Sequence, residues 1–325
     1  MTDESKPRSS GPPSHSRQRR EDLPWQRPKP ATEDAEAPLK IERILRSDSY
    51  RRSDEDIDFL HADETRGVRL QIEYLKPQLR LDQYGIENTI VVFGSTRLVE
   101  PGAAADEVER LRRALADAAD GPDASERTGL LATRLARAER VLAKSRYYEV
   151  ARELGRQVGA SGEGPEDCRV VVMTGGGPGV MEAANRGAHE AGARTVGLNI
   201  DLPHEQFPNP YITPELCFRF RYFALRKLHF LLRARALVAF PGGLGTFDEV
   251  FETLTLIQTR KIEPIPVVLV GRDYWRRAVD IDFMLEEGVI DEEDRDLFWY
   301  AEEAEEIWQG ILAWYEANGR SLFGA

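Results

Sequence analysis

Between Thr89 and Gly271 the chain repeatedly runs through a short apolar stretch and then breaks at glycine. Thr89 to Phe93 ends at Gly94-Ser95-Thr96, and Arg169 to Met173 ends at Thr174-Gly175-Gly176-Gly177-Pro178-Gly179. Thr195 to Ile200 is a third run, Ala236 to Phe240 ends at Pro241-Gly242-Gly243, and Ile265 to Val270 ends at Gly271. Near-continuous Val, Ile and Leu without polar alternation is what a parallel strand covered on both faces requires. With helical patterns between the runs, the chain is expected to be α/β, a doubly wound, mainly parallel sheet with helices on both faces. In such a sheet ligands bind beyond the carboxyl ends of the strands, the edge on which these glycine loops fall.

The flanks are read differently. Residues 1 to 40 are rich in Pro, Ser, Arg and Glu and poor in large apolar side chains, so a disordered tail is expected there. Residues 41 to 87 show short amphipathic patterns, among them Val68, Ile72 and Leu75, and read as a helical extension. The main domain is placed at 88 to 325, interrupted from 98 to 145 by a segment of Ala, Arg, Asp, Glu and Leu that reads as an inserted helical hairpin. Ile307, Ile311, Trp314 and Tyr315 repeat at helical spacing and predict a docked C-terminal helix.

A formal net charge of −12 over 325 residues argues against bulk attraction to nucleic acid or to an anionic membrane. Part of it is concentrated between Glu286 and Glu306, where eleven carboxylates accompany a single Arg295, a run expected to form a solvated helix face. Cys168 and Cys217 are too few for a disulfide framework and lack metal-ligand spacing. With no long apolar stretch and no secretory h-region, a cytoplasmic protein is expected.

The glycine loops do not fit the large cofactors. G-x-G-x-x-G counted from Gly175 would end on Val180, and from Gly177 on Glu182; no G-x-x-x-x-G-K-[ST] occurs. A smaller anion suits them better. The loop Gly242, Gly243, Leu244, Gly245, Thr246 leaves a strand and enters a helix expected near Phe247, aiming backbone N–H groups and a positive helix end at the crevice. For an isolated Pro-Gly-Gly a tight strand-to-helix turn is the simpler explanation. Glu249 is also double-edged, because Thr246-Phe247-Asp248-Glu249 matches the capping box S/T-x-x-E as well as a catalytic position. Asp248 and Glu249 would repel an anion unless cations stand near, and Arg226 and Lys227 on the preceding helix are the candidates. His229, without an evident partner, is left out of the site.

Taken in order, Thr174-Gly-Gly-Gly-Pro-Gly-Val-Met-Glu-Ala-Ala-Asn-Arg-Gly-Ala, then Arg226-Lys227, then Pro241-Gly-Gly-Leu-Gly-Thr-Phe-Asp-Glu249 resemble the LONELY GUY (LOG) family, often labelled lysine decarboxylases. The likeness spans roughly Asn88 to Trp275 and includes Phe93-Gly94-Ser95. It implies a Rossmann-like fold and a phosphoribohydrolase that splits a nucleoside 5′-monophosphate, AMP-like or a cytokinin riboside monophosphate, into free base and ribose 5-phosphate. It further implies Arg226 and Glu249 as catalytic residues, with Gly94, Ser95, Gly176, Gly177, Lys227 and residues 242 to 246 binding the substrate. A homodimer or higher homo-oligomer is implied as well. No cofactor and no metal are expected, since a decarboxylase would need a Schiff-base lysine for pyridoxal phosphate and none is singled out. The N-terminal extension, the insertion and the acidic C-terminal region depart from the short members and leave the base open. The rival reading is a carrier or sensor that holds a phosphorylated ligand such as molybdenum cofactor without turning it over.

Overall fold

The computed structural model describes residues 22–118, 124–164, 167–203 and 207–323. It separates into two compact units, one ending at Gly67 and one running from Val68.

The described part of the first unit holds a 3-10 turn at Pro24–Gln26 and two short helices, α1 (Ala37–Leu45) and α2 (Ile57–His61). Helix α1 thus begins inside the stretch read as tail, whose residues 1–21 lie outside the described ones. Helix α2 is capped by the Asp56 carboxylate, which accepts from the Phe59 amide at 3.1 Å. The Thr65 hydroxyl bonds the Phe59 carbonyl at 2.8 Å and so ties the end of the unit back to α2.

The second unit begins within α3 (Arg66–Gln83) and continues β1 (Asn88–Phe93), α4 (Pro101–Asp117), α5 (Ala124–Lys144), α6 (Arg146–Ala160), β2 (Val170–Thr174), α7 (Val180–Glu190), β3 (Thr195–Ile200) and β4 (Cys217–Phe220). It then runs through α8 (Phe223–Leu232), β5 (Ala234–Ala239), α9 (Leu244–Gln258), β6 (Val267–Val270), α10 (Arg272–Ala278), α11 (Ile281–Glu286), β7 (Trp299–Ala301) and α12 (Ala304–Ala317). The strands form one seven-stranded sheet in the order β4-β3-β2-β1-β5-β6-β7, every pair parallel. The chain is therefore α/β with a doubly wound parallel sheet.

Side-chain alternation divides the strands between two cores. Ile90, Val92, Val172 and Val238 face the layer built by α6, α7 and α12, whereas Val91, Val171, Met173 and Leu237 face α8, α9 and α10. Burial on both faces is why the central strands read as continuous apolar runs. Strand order reverses between β1 and β5, so the crevice for a ligand opens where the loops after these two strands diverge. Those loops are stitched together: the Phe240 amide donates to the Phe93 carbonyl at 2.9 Å and the Ser95 amide to the Pro241 carbonyl at 3.0 Å.

Two strands escape the apolar-run pattern. Cys217–Phe220 and Trp299–Ala301 are the outermost strands, only four and three residues long and partly exposed, so neither needs an unbroken apolar stretch. The acidic run from 286 to 306 is not one helix face. It contains the 3-10 turn Glu292–Leu297, β7 and the start of α12, whose first turn concentrates Glu305 and Glu306 at the positive helix end. Helix α12 docks through buried Ile307, Trp308, Ile311 and Tyr315, and its Tyr315 hydroxyl bonds the Arg235 carbonyl at 2.7 Å. Over the segment from 98 to 145, α4 and α5 pack side by side, joined by an Arg112–Glu139 ion pair at 2.8 Å.

Candidate active site at the switch point

A cavity of about 680 Å³ lies at the reversal of strand order, within the range of roughly 300–1,000 Å³ usual for small-ligand sites. Its floor is the end of β1, with Gly94 and Ser95, and the end of β5, with Gly242, Gly243, Gly245 and Thr246. Arg226 and Glu249 complete it from α8 and α9.

Helix α9 starts at Leu244, three residues before the expected Phe247, with Gly243 as its N-cap. This shift settles one ambiguity. Thr246 is the third helical residue, its amide bonded to the Gly243 carbonyl at 2.9 Å, and cannot be an N-cap. Glu249 lies one turn further in, out of reach of the cap amide, and the capping-box reading is withdrawn. The Phe247 amide also turns back to Gly243, at 3.2 Å, which leaves the Leu244 and Gly245 amides as the helix's orphan donors. A Cβ on Gly243 or Gly245 would meet nothing within 4 Å, so the space over these amides is open; one on Gly242 would strike the Thr246 hydroxyl at 2.1 Å, so that glycine is needed for packing. The Tyr274 hydroxyl holds the Gly242 carbonyl from α10.

Glu249 is 6% exposed, and among the described residues its carboxyl makes no hydrogen bond or ion pair. Burial pushes it up from the ordinary 4.5 to about 7; the positive charges of Lys227 and Arg226 oppose this, and the negative charges of Glu252 and Asp248 add to it. An unpaired buried acid poised near neutrality suits proton transfer.

Arg226 is held flat. Its Nε donates to the Leu198 carbonyl at 2.7 Å and its guanidinium lies 5.0 Å from the centre of the Phe230 ring. Burial lowers its pKa, partly offset by the charge of Glu249. No carboxylate among the described residues lies within ion-pair distance, so its outer nitrogens are free for a ligand. Gly175 makes room for it: a Cβ there would come within 2.5 Å of the guanidinium. Gly175→Ala should therefore displace a flexible side-chain end at little cost in stability. The expected result is a loss of about tenfold or more in kcat/KM with a melting temperature near wild type, measured by steady-state kinetics beside thermal unfolding.

Four expected site positions, Lys227, Gly176, Gly177 and Leu244, are not among the residues that line the cavity. Lys227 turns to the other side of α9, where it bridges Asp248 and Glu252, each at 2.9 Å; two carboxylates already neutralise it, and it touches the site through its charge on Glu249. Gly176 is tied down by its own loop and Gly177 by the segment that follows β3. The Gly176 amide bonds the Thr174 hydroxyl at 3.0 Å, and Asn209 donates to the Gly177 carbonyl at 3.1 Å. The Gly176 position, at φ +71°, sits against Asn199, whose Oδ1 would be 2.2 Å from a Cβ. Leu244 is 90% exposed, so its amide alone can serve the site. His229 is buried between the rings of Tyr74 and Phe220, each 5.4 Å away, and takes no part.

Sequence reasoning missed the opposite wall. Arg137, Arg140 and Lys144 of α5 line the cavity together with Arg97, and nothing in the local sequence of the insertion ties it to the loops after β1 and β5. Among the described residues no group of three or more His, Cys, Asp or Glu side chains is arranged to hold a metal ion, and no helix is long and apolar enough to cross a membrane.

Residues 181–311, which carry Arg226, the 242–246 loop and Glu249, match a family model described as possible lysine decarboxylase. Curated relatives of the same kind align over a wider span. The cytokinin riboside 5′-monophosphate phosphoribohydrolase LOG3 of Arabidopsis thaliana is 29% identical over 169 residues, 50% of this chain and 74% of the relative. Over this span the chain is similar to the LOG family. The rice member LOG, from Oryza sativa subsp. japonica, is 30% identical over 169 residues, 50% of this chain and 65% of that relative. Among solved structures, the chain is similar to a structural genomics target, TM1055, at 23% identity and a TM-score of 0.42, over 70% of this chain and 99% of that one. It is also similar to the molybdenum cofactor carrier protein of Chlamydomonas reinhardtii, at 24% identity and a TM-score of 0.35, over 54% and 89%. Neither Gly94 and Ser95 nor helix α5 falls within the span that matches the family model.

Proposed function

We propose that the cavity binds a nucleoside 5′-monophosphate and hydrolyses its N-glycosidic bond, releasing free base and ribose 5-phosphate. The observation that carries this reading is Glu249: a buried carboxyl without a partner, raised to about 7, facing a cavity whose floor is a helix N-terminus with open glycine amides. The names of the LOG relatives, phosphoribohydrolases of a cytokinin riboside monophosphate, support the same chemistry.

The phosphate is assigned to the Leu244 and Gly245 amides and the Thr246 hydroxyl, at the positive end of α9. As the C1′–N bond lengthens its electrons leave with the base, and positive charge builds on the ribose ring. An ionised Glu249 stabilises that charge and takes a proton from the water whose oxygen bonds C1′. The departing base carries the electron pair and takes up a proton, Glu249 gives up the one it took from the water, so that proton is returned through solvent, and Arg226 would stabilise the base before its protonation. The products are base and ribose 5-phosphate, with one water consumed. Holding an anion, as a carrier does, calls for no buried acid beside it.

The test uses purified protein with AMP, GMP, CMP and UMP, following free base by chromatography. Release of base together with ribose 5-phosphate from at least one of them is expected. Absence of release from all four, with a phosphorylated compound retained through purification, would favour the carrier instead.

We also propose that the chain works as a homodimer. In a single chain α3 leaves Val68, Ile72, Leu75 and Leu79 exposed at spacings of four, three and four residues, and α8 leaves Phe223, Leu228 and Leu232 exposed. Apolar stripes of this kind mark contact surfaces. Light scattering should return twice the chain mass of 36.8 kDa; a monomer at micromolar concentration would contradict it.

A further inference from the structure

The α5 wall has no role in the reaction just described. Arg137, Arg140 and Lys144 stand at i, i+3 and i+7 of one helix, so they present one face, and that face lines the cavity with Arg97. None of the four has a carboxylate within ion-pair distance among the described residues, although neighbouring arginines are engaged: Arg110 with Glu107 at 2.6 Å, Arg112 with Glu139 at 2.8 Å and Arg113 with Glu109 at 2.9 Å. With Arg226, five cations line a cavity that holds two carboxylates, Asp248 and Glu249, in a chain whose net charge is −12. Such a concentration of unpaired positive charge in a cleft selects an anion.

One phosphate at neutral pH carries about −1.5 to −2 charges, and the first turn of α9 already offers donors for one. We propose that the α5 face, with Arg97, binds a second phosphoryl group, and that the preferred ligand of this cavity is a nucleotide carrying one phosphate more than a 5′-monophosphate. The inference rests on the reading of the α9 loop as a nucleotide site. The extra group extends the 5′ chain, as in a nucleoside diphosphate or triphosphate, or sits on the ribose, as in a 3′,5′-bisphosphate. Arginine suits either, since its fork pairs two phosphate oxygens at once.

Calorimetry on the Glu249→Gln protein, which removes the proposed proton acceptor, compares AMP, ADP, ATP and adenosine 3′,5′-bisphosphate at low salt. At least one compound with an added phosphate should bind about tenfold or more tighter than AMP, the gain expected of one charge-assisted contact. A gain with ADP and ATP places the group along the 5′ chain; a gain with the bisphosphate places it on the ribose. In the same protein carrying Arg137→Ala, Arg140→Ala and Lys144→Ala the ratio to AMP should fall to about one. Equal binding of all four compounds, or an advantage that survives the triple substitution, would overturn the proposal. Should the triple variant fold poorly, salt titration of the Glu249→Gln protein decides: affinity for the favoured compound must fall more steeply with salt than affinity for AMP, and parallel slopes overturn the proposal. If the unsubstituted chain cleaves AMP and no advantage is seen, this inference alone fails. If AMP is neither bound nor cleaved, the hydrolase reading fails and takes this one with it.

Discussion

Glu249→Gln should lower kcat for AMP cleavage by about 10²- to 10⁴-fold, the usual contribution of a positioned acid–base group, while leaving the affinity for AMP within a few-fold of wild type. The split follows from the geometry, since the phosphate is assigned to backbone amides that the substitution does not touch. The unsubstituted chain should show a kcat/KM that climbs about tenfold per pH unit at acid pH and levels off above about 7, where Glu249 is ionised. The residual activity of the variant should lack that limb. The substitution should also stabilise the fold. An acid whose folded pKa is raised binds more protons in the native state than in the unfolded one, so its stability contribution is complete below about 4.5 and is lost as pH rises through about 7. At pH 8 wild type carries the cost of burying a carboxylate, at most about 3 kcal/mol for a shift of this size, and glutamine avoids it. Thermal unfolding should place the variant several degrees above wild type at pH 8 and close to it near pH 4.5. A variant with wild-type turnover, or one no more stable at pH 8 than at pH 4.5 relative to wild type, would remove Glu249 from the role given to it.

Arg226→Ala is expected to cost about 10²-fold in kcat/KM, the loss of one charge-assisted contact made in a water-poor site. It carries a second signature. Because the positive charge of Arg226 holds the Glu249 pKa down, its removal lets that pKa rise, and the acid limb of the pH profile should move to higher pH. Arg226→Lys should keep much of the charge effect and little of the rate, since an ammonium reproduces neither the flat contact over Phe230 nor the Nε bond to the Leu198 carbonyl. An acid limb that stays in place in Arg226→Ala would separate the two residues.

The central strands were legible in sequence because burial on both faces demands uninterrupted apolar residues, as in Ile90-Val91-Val92 and Val170-Val171-Val172. The edge strands Cys217–Phe220 and Trp299–Ala301 were not, since a short strand with one partner escapes that demand. Within the candidate site, Gly242, Gly243, Gly245, Thr246, Arg226 and Glu249 were picked out, and the fold brings them to one cavity. Their neighbours were harder to sort. Glycine at 176 serves the loop's own conformation, at φ +71° against Asn199, the Gly177 carbonyl is taken up by Asn209, and Lys227 differs from Arg226 by one position on α8, enough to turn it from the cavity to Asp248 and Glu252. The start of α9 was misplaced by three residues because Thr246 followed by Glu249 imitates a cap, while the actual cap is Gly243, which carries no side chain to signal it. The cations of α5 were invisible as a site because their relation to Glu249 exists only after an insertion more than a hundred residues upstream has folded over the sheet edge.

A crystal structure of the Glu249→Gln protein with AMP tests the central claim most directly. The phosphate should lie within hydrogen-bond distance of the Leu244 and Gly245 amides, with the side chain at position 249 facing C1′ of the ribose and Arg226 on the base side. A phosphate bound away from the first turn of α9, or a ribose whose C1′ is out of reach of position 249, would contradict it.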